Sequence, residues 1–90
     1  MVEINAFVLG RVQGVGFRYF AVQKARKLGL KGFVRNVPGG KVEVVAQGSR
    51  EKLELLIGIL KEGSCLGNVE DVKVEWRKET KKFEDFSIEF

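Results

Sequence analysis

The sequence contains no histidine and only one cysteine, one proline and one tyrosine in 90 residues. Without histidine the commonest general base and phosphoryl acceptor is missing, and a zinc site is short of ligands. The lone Cys65 cannot close an internal disulfide. No stretch stays apolar long enough to cross a bilayer, and Met1 leads into alternating residues without the basic and apolar regions of an export signal. A cytoplasmic chain with no membrane association is expected. Acid is missing locally as well, because no Asp or Glu lies between Glu3 and Glu43. Residues 1–41 carry eight Lys or Arg against one acid, net +7, whereas residues 42–90 carry eight against eleven, net −3. A basic half of this kind steers small anions or nucleic acid towards one end of a molecule. Lysines such as Lys24, Lys27 and Lys31 would equally serve to keep one helix face hydrated.

Ninety residues correspond to a single domain, 1–90, small enough that most of its apolar side chains are needed for one core. Val2, Ile4, Ala6 and Val8 alternate on one side of a strand reaching about Val12, with Phe7 and Leu9 on the other. Phe17, Phe20, Ala21, Ala25 and Leu28 recur at helical spacing, and Gly29 stands where a helix-ending glycine belongs. Phe33 and Val34 lie in a second strand. Val37-Pro38-Gly39-Gly40 is a turn with Pro and Gly in type II order, leading into Val42, Val44 and Ala46. Ser49 caps a second helix whose stripe is Leu53, Leu56, Ile57 and Leu60, ending near Gly63. Val72, Val74 and Trp76 mark a further strand, and Phe86, Ile88 and Phe90 a last one, with Trp76 and the alternating phenylalanines taken as core. The order β-α-β-β-α-β with an added strand is the split β-α-β plan: an α+β fold with two helices on one face of a mainly antiparallel sheet of four to five strands. That plan carries RNA readers, metal carriers and regulatory ligand domains, so the sites must decide between them.

The most informative stretch is Gly10-Arg11-Val12-Gln13-Gly14-Val15-Gly16-Phe17-Arg18, a glycine-rich turn between the first strand and the first helix. Gly14 and Gly16 can take positive φ and leave room for a ligand, so that successive N–H groups converge where the helix dipole also favours negative charge. Arg18 adds a planar, permanently charged fork suited to phosphate oxygens. The expected anion site comprises Gln13, Gly14, Val15, Gly16, Phe17 and Arg18. The loop lacks the lysine and hydroxyl of a Walker motif, and its glycine spacing and surroundings do not match a dinucleotide fingerprint. The competing structural explanation is a tight turn that needs glycine for steric reasons alone. Taken with Gly32-Phe33-Val34-Arg35-Asn36 and Gly40-x-Val42-Glu43, this block resembles the acylphosphatase pattern over essentially the whole chain. The resemblance implies a ferredoxin-like α/β sandwich and hydrolysis of acyl phosphates.

With no histidine, no cysteine near the loop and no acid between Glu3 and Glu43, a covalent phosphoenzyme has no obvious nucleophile. Direct attack by water is left. It suits a leaving group that needs no protonation, such as a carboxylate whose conjugate acid has a pKa near ~4. By resemblance, Arg18 and the loop N–H groups hold the phosphate oxygens while Asn36 orients the water. Asn36 would otherwise be read as a turn residue ahead of Pro38. No cofactor and no metal is expected. The expected ligands are a small acyl phosphate and, competing with it, inorganic phosphate or sulfate. A monomer without nucleic-acid or membrane partners is expected, and no residue visibly reads the acyl group.

Two other classes compete with this one. Lys31-Gly32-Phe33-Val34-Arg35-Asn36-Val37 faintly resembles the stacking strand of an RNA reader, and the isoelectric point of about 9.4 would suit RNA. It falls on the second strand and has one aromatic, with only Phe7 to pair it on strand one. A non-catalytic acylphosphatase-like accessory domain is the third class, against which the presence of both Arg18 and Asn36 argues. Arg11 and Arg35 are read as exposed strand residues that solvate an edge. Cys65, where the family often has prolines, is read as loop or core, and Gly39 stands where family members often carry Asp or Asn.

Overall fold

The computed structural model describes residues 1–63 and 67–90. Its elements follow the order β1 (Val2–Arg11), α1 (Phe17–Lys27), β2 (Lys31–Val37), β3 (Lys41–Gly48), α2 (Arg50–Glu62), β4 (Asn68–Lys78) and β5 (Phe86–Glu89). Cys65 lies outside the described residues. The five strands form one sheet in the order β4-β1-β3-β2-β5, antiparallel except for the β2–β5 pair. This is the expected α+β ferredoxin-like arrangement, with β5 as the added strand.

Each helix ends where its local chemistry dictates. The Ser49 hydroxyl accepts from the Lys52 N–H at 3.3 Å, satisfying one donor at the start of α2. At the end of α1, Gly29 N–H donates to Arg26 C=O and Leu30 N–H to Ala25 C=O, both at 3.0 Å, the pattern of a Schellman cap. Leu53, Leu56 and Leu60 are fully buried along one stripe of α2, each contributing about 1.5–3 kcal/mol by leaving water. They meet Ile4, Ala6, Val8, Val42, Val44 and Ala46 from the sheet and Phe17, Ala21 and Ala25 from α1. These strand residues share one parity along their strands, so both helices cover the same face.

The opposite face is polar, and two acids are buried on it. Glu43 is 9% exposed and accepts from Arg35 Nε at 2.7 Å and Asn5 Nδ2 at 2.8 Å. Arg35 is therefore no edge residue: β2 lies between β3 and β5, and its guanidinium is paired across the sheet. Arg11 is different: it is exposed at the end of β1, beyond the last β1–β3 pair, where only β4 flanks it. At the far end of the sheet Glu3 is completely buried. Its carboxylate accepts from Gln47 Nε2, Arg77 Nε and both the N–H and hydroxyl of Thr80. Gln47 also donates to the Lys81 carbonyl and accepts from Phe83 N–H, so the 79–85 segment is fastened across this end of the sheet. Phe83 meets Phe33 edge-on with centroids 5.7 Å apart.

The sequence expectation for the last strand needs correction. β5 stops at Glu89, and Phe90 is 93% exposed rather than part of the core. Trp76 is only half buried, with the Arg50 guanidinium 4.5 Å from its ring centre. Period-two alternation continued past the last residue that has a neighbouring strand to pair with.

The Glu3 network makes folding sensitive to acid. Burial raises the carboxyl pKa, but hydrogen bonds from Gln47, Arg77 and Thr80 outweigh it and hold the group below its ordinary value. A depressed folded-state pKa means the stabilisation is complete above the unfolded value, near 4.5, and is lost as pH falls through the lower folded value. Glu3→Gln is expected to lose about 1–3 kcal/mol at neutral pH. Its melting temperature should fall less than that of the wild type between pH 5 and 2. Equal acid sensitivity of the two proteins in thermal melts would assign the effect to other carboxylates.

Candidate active site

β1 ends beside an irregularity in β4, where Glu70 is the extra residue. The register of β1 against β4 shifts between Leu9 and Gly10, and a Cβ on Gly10 would lie 2.2 Å from the Asn68 carbonyl oxygen, so no larger residue fits. Sequence reading took Gly10 only as the start of a motif; the close approach of β4 that requires it is visible only in three dimensions. Beyond Arg11 the chain leaves the sheet into residues 12–16.

Val12 and Phe17 are both 1% exposed and anchor the loop at its two ends, while Gly14 and Gly16 lie between them at the surface. Gly14 has φ 76° and Gly16 φ 81°, and a Cβ on either would meet nothing within 4 Å. The glycines are needed for their backbone conformation and not for packing, a demand that a tight turn and an anion loop share. A left-handed conformation costs an ordinary residue roughly 1–2 kcal/mol. Gly16 is the N-cap of α1 and offers no side chain to cap it, and the first turn holds no acid. Among the described residues, Gln13, Gly14, Val15 and Gly16 donate no backbone hydrogen bond in a turn. The first N–H groups of α1 are also outside the helical ladder, which begins with Phe20 N–H to Gly16 C=O at 3.1 Å. A cluster of unpaired donors at the positive end of a helix dipole is suited to an anion.

Arg18 follows in the first turn of α1. Its side chain is half buried, with the guanidinium carbon 4.9 Å from the centre of the Phe90 ring. Asn36 is exposed one residue before the end of β2, opposite Val42 on β3. It shares its strand parity with Val34, which is buried on the helix-covered face. Phe90 has the parity of Phe86 and Ile88 on β5, which pair with Gly32 and Val34. Arg18 thus stacks on Phe90, and Asn36 stands near the end of β2 on the face that the helices cover. Among the described residues, the Asn36 side chain makes no hydrogen bond and remains available.

Gln13 behaves differently from the rest of the loop. Its Nε2 donates to the carbonyls of Val37 at 2.9 Å and Lys41 at 2.8 Å. A primary amide has two N–H donors, so both are committed within the protein and only the Gln13 backbone N–H is left for a ligand. The aromatic of the RNA-reader resemblance is also committed: Phe33 meets Phe83 on one side and the Arg35 guanidinium, 5.6 Å from the ring centre, on another.

No group of three or more His, Cys, Asp or Glu residues able to hold a metal occurs among the described residues. No helix among the described residues is long and apolar enough to cross a membrane.

Comparison with known proteins points one way. A family model described as Acylphosphatase matches residues 4–88. A curated acylphosphatase of Thermus thermophilus is 53% identical over 79 residues, covering 88% of this chain and 90% of that protein. The crystal structure of acylphosphatase from Bacillus subtilis superposes with a TM-score of 0.96 at 38% identity, with both chains covered completely. The fold also recurs inside a longer protein: full-length HypF in a phosphate- and nucleotide-bound form matches with a TM-score of 0.87 and 32% identity over the whole of this chain but 12% of its own. The glycine loop, Arg18 and Asn36 therefore stand in a chain that belongs to the acylphosphatase family.

Proposed function

We propose that this enzyme hydrolyses the carboxyl–phosphate bond of small acyl phosphates, with Arg18 and the loop holding the phosphoryl group and Asn36 orienting the attacking water. The observation that carries this reading is the uncapped start of α1, with its unpaired N–H groups, two left-handed glycines and an arginine in the first turn. The N–H groups of residues 13–17 and the Arg18 fork would surround the three phosphoryl oxygens, spreading the charge that builds on them. Asn36 can accept from water and donate to it without titrating.

Water attacks phosphorus as the bond to the carboxylate oxygen breaks. The carboxylate leaves with both electrons of that bond and, having a conjugate acid with pKa near ~4, needs no proton. The proton lost by the water passes to a phosphoryl oxygen, since no titratable group is supplied by the loop. Reaction then depends on alignment and charge stabilisation rather than on a protein base.

The roles of Arg18 and Asn36 separate in kinetics. Arg18 contacts the phosphoryl group in the bound state and during reaction, so Arg18→Gln should raise both KM and the inhibition constant of inorganic phosphate as well as slow turnover. Asn36→Ala should lower kcat on benzoyl phosphate by about 10² to 10³, with the phosphate inhibition constant nearly unchanged and the fold intact by far-UV circular dichroism. An Asn36→Ala protein that is folded and turns over normally would remove Asn36 from the mechanism.

Inorganic phosphate binding to the cradle should stabilise the folded chain by roughly 1.4 kcal/mol at about ten times its dissociation constant. This thermal shift should vanish in Arg18→Gln. If it persists at the same phosphate concentration, the anion is held elsewhere on the basic surface.

Because the loop has no hydroxyl or lysine of the Walker type, turnover is expected to survive excess EDTA. Loss of activity to the chelator, with recovery on adding a divalent ion, would contradict the proposed division of roles.

A further inference from the structure

The β1–β3 ladder ends before the loop begins. Its last pair is Val8 with Val42, and beyond it Leu9, Gly10 and Arg11 pair only with β4, on the side away from β3. The segment carrying the phosphoryl cradle thus leaves the sheet tied to one neighbour. On its other side lies the end of the β2–β3 hairpin, where Val37 and Lys41 are register partners around residues 38–40. Asn36 immediately precedes Val37. Backbone pairing alone therefore does not fix the spacing between cradle and Asn36.

Gln13 spans that gap. Its two amide hydrogens go to the carbonyls of Val37 and Lys41, the two residues that close the hairpin. A single side chain rooted in the cradle grips both strands at the point where Asn36 is presented. We infer that Gln13 is a positioning residue, whose side-chain amide holds the phosphoryl cradle in register with Asn36 and so sets the line of attack of the water. This rests on the roles proposed above for Arg18 and Asn36, and assigns to Gln13 a function other than phosphate contact through its side chain.

The chemistry is specific to glutamine at this position. Glutamate has the same length but no N–H, and its oxygens would face two carbonyl oxygens. Asparagine is one methylene shorter and would not reach both carbonyls from the same backbone. Leucine keeps similar bulk and makes neither bond. Displacement of a reacting group by about 1 Å can cost on the order of 10²-fold in rate, so a strut that fixes a water-holding residue should be read in kcat.

The test uses Gln13→Leu and Gln13→Glu, each also combined with Asn36→Ala, in the full chain with benzoyl phosphate as substrate. Melting temperature, kcat, KM and the inhibition constant of inorganic phosphate are measured for every variant. The expected result is a fall in kcat of about 10- to 100-fold for at least one folded single variant, with the phosphate inhibition constant changed less than about threefold. In the Asn36→Ala background the same change at Gln13 should have little further effect on kcat, because a misaligned partner is no longer present to lose.

Three results would overturn the inference. Normal kcat in every folded Gln13 single variant, with a lower melting temperature, makes the two bonds purely structural. A phosphate inhibition constant that rises in step with the loss of kcat makes Gln13 a ligand of the anion. Full additivity with Asn36→Ala denies any action through Asn36. Normal kcat in the Asn36→Ala single variant would remove the premise and the inference with it. That pattern differs from failure at Gln13 alone, in which Asn36→Ala is slow and the Gln13 single variants are not.

Discussion

Unpaired N–H groups at the start of a helix are tolerated only where water or a ligand can reach them, and they are useful only where the backbone bearing them cannot move to pair elsewhere. Both conditions meet at the start of α1. Phe17 is buried and fixes the first helical residue in the core, Gly16 turns the chain without a capping side chain, and Arg18 follows half exposed. The rest of the fold holds this arrangement in place. Two helices fill one sheet face, and the close approach of β4 at Gly10 holds the end of β1 ahead of the loop. Preorganised donors of this kind contribute to catalysis because they need little reorganisation as charge develops.

The family context explains why so little conventional catalytic equipment is present. A substrate whose leaving group is a carboxylate removes the need for a general acid, and a phosphoryl transition state with dispersed charge asks mainly for fixed positive partners. In the proposed mechanism an arginine, a set of amide donors and a neutral amide for water would meet those demands. The net charge of +7 over residues 1–41 places the same sign of field around the loop, favouring approach of an anion.

Features that depend on neighbouring residues could be read directly from the sequence. Ser49 capping α2, Gly29 ending α1, the Leu53, Leu56 and Leu60 stripe, and the positive φ at Gly14 and Gly16 all follow from local chemistry. Arg18 and Asn36 were visible because short blocks of sequence carry them. Contacts made over long separations were not. Glu3 reads as one polar residue in an alternating strand, and its partners Gln47, Arg77 and Thr80 lie 44, 74 and 77 residues away. Arg35 read as an edge residue because strand order is a tertiary property, set by which strands pair and not by their composition. Gln13 was placed in the site through its backbone, while its side-chain partners 24 and 28 residues away could not be foreseen. Phe90 continued a pattern whose physical cause, a paired and covered strand, had already ended.

The buried Glu3 carboxylate sits near the beginning of β1, and the anion loop follows its end. A strand of this length spans about 30 Å, so the chain's most deeply buried acid and the loop proposed to hold the phosphoryl group lie at opposite ends of one rigid rod. Changes around Glu3, Gln47, Arg77 or the 79–85 segment can make the sheet more or less resistant to heat or acid with little geometric reach into the loop. Members of a family built this way have a means of adjusting to hot, cold or acidic surroundings by altering one end of the first strand, leaving the chemistry at the other end to be inherited unchanged.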